Sequence, residues 1–171
     1  YHLIPFIKEY QRNRILGFLF PEQYSDTFLQ QKNSIMAIGS GGFFGKGLYN
    51  TDISSVKAGN FLIEEDTDFI FAIIGEELGF RGSMGILFLY ILLIMLILWI
   101  GLKSKNLTGS AICVGVAAWL GFQTFTNVAV ATAIFPNTGV TLPFISRGAS
   151  SLLSVYIAIG IILNVGLQSK D

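Results

Sequence analysis

The chain has 171 residues, 52% of them hydrophobic and only 13% charged, with a mean hydropathy of +0.62 and a formal net charge of zero. Ordinary soluble domains carry about 25% charged residues, so this composition predicts a membrane protein, and neutrality without any Lys/Arg-rich run excludes the electrostatic footprint of a nucleic-acid binder. A single cysteine, Cys113, and a single histidine, His2, leave no intrachain disulfide, no thiolate metal cage and no histidine-based nucleophile.

In chain order, the sequence opens without an initiator methionine inside the apolar run Leu3-Ile4-Pro5-Phe6-Ile7. Residues 1–10 read as the end of a transmembrane helix, and the chain as the C-terminal part of a longer protein. Residues 11–67 are too rich in glycine and polar side chains to span a bilayer, and too long for an idle connection. Within them, residues 25–38 fit an amphipathic helix with Phe28, Ile35 and Ile38 near helical spacing, and residues 39–47 form a turn. Between Arg81 and Lys103 charge is absent for about 21 residues, roughly 31 Å as a helix, which matches the hydrocarbon thickness. A long transmembrane helix is therefore expected over 68–103. A second uncharged stretch is broken by Pro136-Asn137-Thr138-Gly139 and Pro143, giving a span over 108–135, a loop over 136–147 and a last span over 148–168. The fold class is all-α and polytopic. Lys103, Lys105 and Lys170 place the far ends of these spans in the cytoplasm, so residues 11–67 and 136–147 face outward.

Chemistry concentrates at the start of the long helix, where Glu64-Glu65-Asp66-Thr67-Asp68 runs into an apolar stretch. Carboxylates at the mouth of a membrane helix are costly to desolvate and usually functional. With acidic neighbours and a partly apolar setting, Asp68 is expected to gain proton affinity toward the range of a general base. On an unbroken helix, Ala72, Gly75, Gly79 and Gly82 fall within about 40° of Asp68, a stripe of small residues suited to close packing. Glu77 and Arg81 then form an i,i+4 ion pair, and Glu76 lies to the side, where it borders the same cavity or joins a structural pair.

The loop Gly39-Ser40-Gly41-Gly42-Phe43-Phe44-Gly45-Lys46-Gly47 lacks the spacing of a phosphate-binding Walker A loop. Its amides still suit an anion with Lys46 as a point charge, and a plain flexible turn is equally compatible. Gln123 and Asn127 share a helix face and read as interhelical hydrogen-bonding residues. Arg147 either snorkels to headgroups or binds a lipid-linked phosphate. Cys113 reads as a buried packing residue.

Four ordered stretches carry a resemblance: Gln11-Arg12-Asn13-Arg14-Ile15; Ile38 to Gly47; Thr67-Asp68-Phe69-Ile70-Phe71-Ala72 with Gly75-Glu76-Glu77-Leu78-Gly79; and Pro136-Asn137-Thr138-Gly139-Val140-Thr141-Leu142-Pro143-Phe144-Ile145-Ser146. Together they resemble the SEDS proteins, the family of RodA, FtsW and SpoVE, over essentially the whole chain. The resemblance implies the last part of a ten-helix fold in the bacterial cytoplasmic membrane: about three complete spans, a truncated one and a long extracytoplasmic loop. It implies a glycosyltransferase that polymerises lipid II into peptidoglycan strands beside a class B penicillin-binding protein. Asp68 then matches the family's essential aspartate, which deprotonates the acceptor sugar hydroxyl while undecaprenyl pyrophosphate leaves. Lys46, Arg12, Arg14, Arg147, Glu76 and Ser146 are the expected substrate contacts. No cofactor is assigned, and the acidic cluster from Glu64 to Asp68 suits a divalent cation at the departing pyrophosphate. The family's usual Ser-Tyr-Gly-Gly-Ser reads Ser146-Arg147-Gly148-Ala149-Ser150 here, and Glu65 stands two residues before the motif threonine. Two further classes are compatible with the residues themselves: a transporter of lipid-linked precursors and a non-catalytic scaffold for a cell-wall synthase.

Overall fold

The computed structural model describes residues 9–21, 23, 25–48 and 68–168. Among them the architecture is helical: α1 (Glu9–Leu19), α2 (Ser25–Gly41), α3 (Ile70–Lys103), α4 (Leu107–Ala131) and α5 (Ala149–Gln168). The last three are long and apolar enough to cross a membrane. α3 packs against both α4 and α2, and α5 closes the other side of the α3–α4 pair. The α3–α4–α5 bundle is held by Ile97, Cys113, Leu120, Val155 and Ile162, all buried, so Cys113 is the packing residue expected of it. Large side chains such as Phe88, Met95, Phe122 and Leu163 stay exposed along the spans, as a lipid-facing surface requires.

The stretch expected as one outer loop from residue 11 contains two helices. α1 begins at Glu9 and runs through the expected boundary at residue 10, while residues 1–8 lie outside the described part. α2 occupies the expected place, and Ile38 packs inward as expected. Ile35 is exposed, however, whereas Gln31, Ser34, Ala37 and Gly41 are buried. The reason is the surface it meets. Ser34 Oγ donates to the Ala131 carbonyl at 2.7 Å, and Gln31 Nε2 donates to the carbonyls of Val130 (3.2 Å) and Phe135 (2.7 Å). A helix C-terminus leaves carbonyls without intrahelical partners, and α2 supplies donors to them.

α4 ends four residues before the expected limit of 135. Ala133 turns to φ 53°, its N–H donates to the Val130 carbonyl at 3.0 Å, and Ile134 N–H reaches the Ala129 carbonyl at 2.7 Å. This is a Schellman closure with alanine where glycine is usual.

α3 is broken. Gly79 has φ 68° and ψ −169°, a region open essentially only to glycine, and the segment before it turns back beside the span. Phe71 and Ile74 consequently share one core cluster with Tyr90, Ala131 and Leu142, although a straight helix would hold Ile74 and Tyr90 about 24 Å apart. The expected stripe from Asp68 through Gly82 therefore does not form as one line. Its first members do pack tightly: Ala72 joins Ala37 and Phe69 in a buried cluster, and Gly75 faces Ile38 of α2.

Candidate active site

Asp68 stands two residues before α3 and is 5% exposed. Its position is fixed through the main chain, because Asn127 Nδ2 donates to the Asp68 carbonyl at 2.9 Å and to the Val140 carbonyl at 2.7 Å. One α4 side chain thus ties the start of α3 to the loop between α4 and α5. Beside Val140, Gly139 has φ 73°, and a Cβ there would lie 3.6 Å from both Asp68 Oδ2 and Arg14 Nη1. The Asn137 side chain accepts from Gly139 N–H at 3.1 Å and shapes the turn. A carboxylate, a guanidinium and a side-chain-free turn consequently converge from α3, α1 and the proline loop.

The rest of that loop is anchored to the spans. Gln123 Nε2 donates to the Thr141 carbonyl (3.0 Å), with Thr141 Oγ1 and Ser151 Oγ at 3.3 and 3.4 Å. Tyr90 donates its hydroxyl to the Pro143 carbonyl. Gln123 and Asn127 were expected to join helices; Gln123 does so through Ser151 of α5, and each also holds a carbonyl of this loop. Ser146 is buried, and its Oγ accepts from Leu142 N–H at 2.8 Å, closing the turn that holds Phe144 at φ 66°. Gly139 also borders an open groove of about 600 Å³ between α4 and α5, lined by Trp119, Gln123, Thr141 and Ser151 among others. A second cavity of about 520 Å³ lies at the opposite end, between the Ser104–Asn106 turn and the end of α5.

The other expected contacts fall into two groups. Arg12, exposed, lies on α1 with Arg14, and Arg147, also exposed, sits at the entry to α5. Lys46 and Glu76 meet each other instead: the ammonium and carboxylate are 2.8 Å apart, with Glu76 1% exposed. The glycine loop around Lys46 spends its amides on the protein. Gly45 N–H donates to the Gly41 carbonyl, Lys46 N–H to Glu76 and Gly47 N–H to Glu77, at 2.8 to 3.0 Å. In return, Phe80 N–H and Arg81 N–H donate to the carbonyls of Gly42 and Phe43. The expected anion cradle is thus a splice across the break in α3, satisfying the backbone groups that the break frees. The same break removes the i,i+4 geometry expected for Glu77 and Arg81, and the Arg81 guanidinium lies over the Phe44 ring at 5.1 Å. Residues 64–66, where a cation site was expected, lie outside the described residues, and among the described ones no metal-ligating group of three acidic, His or Cys side chains assembles.

The family model for cell cycle proteins of the FtsW/RodA/SpoVE type matches residues 2–171. The chain belongs to this family. Among FtsW/RodA/SpoVE relatives, a probable peptidoglycan glycosyltransferase FtsW of Tolumonas auensis is 42% identical over 168 residues, covering 94% of this chain and 42% of the relative. The stage V sporulation protein E of Bacillus subtilis is 40% identical over 162 residues, covering 94% and 43%. A solved chain from work described as "Structural coordination of polymerization and crosslinking by a peptidoglycan synthase complex" superposes with a TM-score of 0.69 at 30% identity, covering 96% of this chain and 44% of its own. The chain thus spans less than half the length of the FtsW relatives it matches.

Two site features escaped the sequence. Gly139 was visible only as part of a proline-flanked turn, and nothing in its spacing placed Arg14 and Asp68 beside it. Asn127 was visible as a polar residue in a span, which signals a hydrogen bond but not its partner.

Proposed function

We propose that this chain is the C-terminal part of a membrane glycosyltransferase that extends peptidoglycan strands from lipid II in the bacterial cytoplasmic membrane, working beside a class B penicillin-binding protein. The observation that carries the reading is the convergence of Asp68 Oδ2 and Arg14 Nη1 on Gly139. Glycosyl transfer from a lipid diphosphate needs a base for the acceptor hydroxyl and positive charge for the departing diphosphate. In this reading Asp68 takes the hydroxyl proton as the new glycosidic bond forms and the bond to undecaprenyl pyrophosphate breaks. Arg14, with Arg12 and Arg147 at the rim, attracts the anionic part of the lipid. Asp68, Gly139 and the α1–α2 segment face outward, and the turn at Lys105 faces the cytoplasm. Lys46 and Glu76 hold the fold behind the site rather than contacting substrate.

The test uses the full-length protein, purified with its class B partner and supplied with lipid II. Asp68→Asn keeps the shape and removes the base, so strand synthesis should fall at least about a hundredfold with complex formation intact. Continued polymerisation would sink the assignment. Movement of labelled lipid II across vesicles without consumption would favour a transporter, and wild-type growth of cells carrying Asp68→Asn a scaffold.

A further inference from the structure

We infer that Asn127 is a positioning residue for this reaction, its carboxamide setting where the Asp68 carboxylate stands relative to the Gly139 turn. The inference rests on the reading of Asp68 as the base. An amide nitrogen carries two protons, and both are used here, on the main-chain carbonyls of Asp68 and Val140. These two residues lie 59 and 13 positions away in the chain, so one side chain bridges both walls of the site. Asn127 is fully buried, and its Oδ1 is buried with no hydrogen-bond partner. A buried acceptor left unpaired is a cost that a leucine of similar volume would not carry. The two donors, rather than the packing volume, are therefore what the position supplies.

Gln123, one turn earlier on α4, provides the natural comparison: it ties the same loop at Thr141 and reaches α5 at Ser151, without touching Asp68. A general loop-tethering role would make the two amides equivalent, whereas a role in placing Asp68 separates them.

In the full-length complex turning over lipid II, Asn127→Ala should lower kcat at least about tenfold while KM stays within about twofold, because displacement of a reacting group by about an ångström is enough for such a loss. Gln123→Ala, which frees the loop at Thr141 but leaves Asp68 tied, should lose at least about threefold less in kcat than Asn127→Ala. Asn127→Gln keeps the donors but sets them one methylene further out, and should lose about fivefold in kcat at an unchanged thermal midpoint. It carries the test alone if the alanine variant does not fold. An unchanged kcat in the folded Asn127 variants overturns the inference, as do equal losses in Asn127→Ala and Gln123→Ala. Activity in Asp68→Asn would instead remove the base reading beneath it, so the two failures are distinguishable.

Discussion

Glu76 carries a carboxylate into a site that is 1% exposed, 2.8 Å from the Lys46 ammonium, which is itself 21% exposed. Desolvating such a pair costs several kcal/mol per ion, which mutual attraction offsets only while both partners are present. Lys46→Ala is therefore expected to destabilise the fold by about 3 kcal/mol, read as a drop in the thermal midpoint of the detergent-solubilised protein. Lys46→Met combined with Glu76→Gln should recover most of that loss, because no charge is left stranded. A double variant as unstable as the single one would show that Lys46 acts by something other than neutralising Glu76. The sequence offered both residues as substrate contacts because each stands in a family-like motif. Their mutual pairing was illegible, since it joins positions 30 apart that only the docking of the loop onto α3 brings together.

At the scale of elements, the break in α3 and the glycine loop form one device. A Cβ at Gly79 would meet Gly45 N at 2.3 Å, and one at Gly45 would meet the Glu77 carbonyl at 2.2 Å, with backbone on both sides and nothing able to yield. Gly79→Ala should consequently cost at least about 3 kcal/mol from strained backbone and overpacking together, and lower the yield of folded protein. Gly85, which meets nothing within 4 Å, should accept alanine with little change in the same melting measurement. The three spans were legible because absence of charge over a bilayer's length is a strong physical signal. The break was not. Gly79 sits in a run that reads as helix, and what sustains the break is hydrogen bonding to the Gly42 and Phe43 carbonyls and from the Lys46 and Gly47 amides, backbone groups with no side-chain signature. The polar part of the α2 face was missed for a related reason: apolar periodicity picks out Ile38, which does pack inward, but not Gln31 and Ser34, which this helix buries to serve the carbonyl end of α4.

The whole molecule has two chemically distinct ends. One gathers Asp68, Arg14 and the 136–147 loop; the other holds the Ser104–Asn106 turn, the end of α5 and Lys103, whose ammonium lies 3.8 Å from the centre of the Trp99 ring. An aromatic ring beside a lysine is a common marker of the headgroup layer. In intact cells, a cysteine introduced at Thr138 should react with a membrane-impermeant maleimide, and one introduced at Lys105 only after permeabilisation. The reverse pattern would invert the topology and place the carboxylate on the wrong side for the proposed function. Asp68 and Arg14 themselves were legible as motif residues, yet their meeting at Gly139 depends on three elements far apart in sequence.

The tie between Asn127 and Asp68 also acts as a depth gauge. α4 begins at Leu107, and twenty residues of helix raise Asn127 about 30 Å above that point, close to the full thickness of the acyl-chain region. The tie to Asn127 therefore holds Asp68 about one acyl-chain thickness from the start of α4. On the proposed function, a carboxylate at that height meets the diphosphate of a polyprenyl carrier in its own leaflet, and the sugar need not be lifted from the lipid surface to reach it.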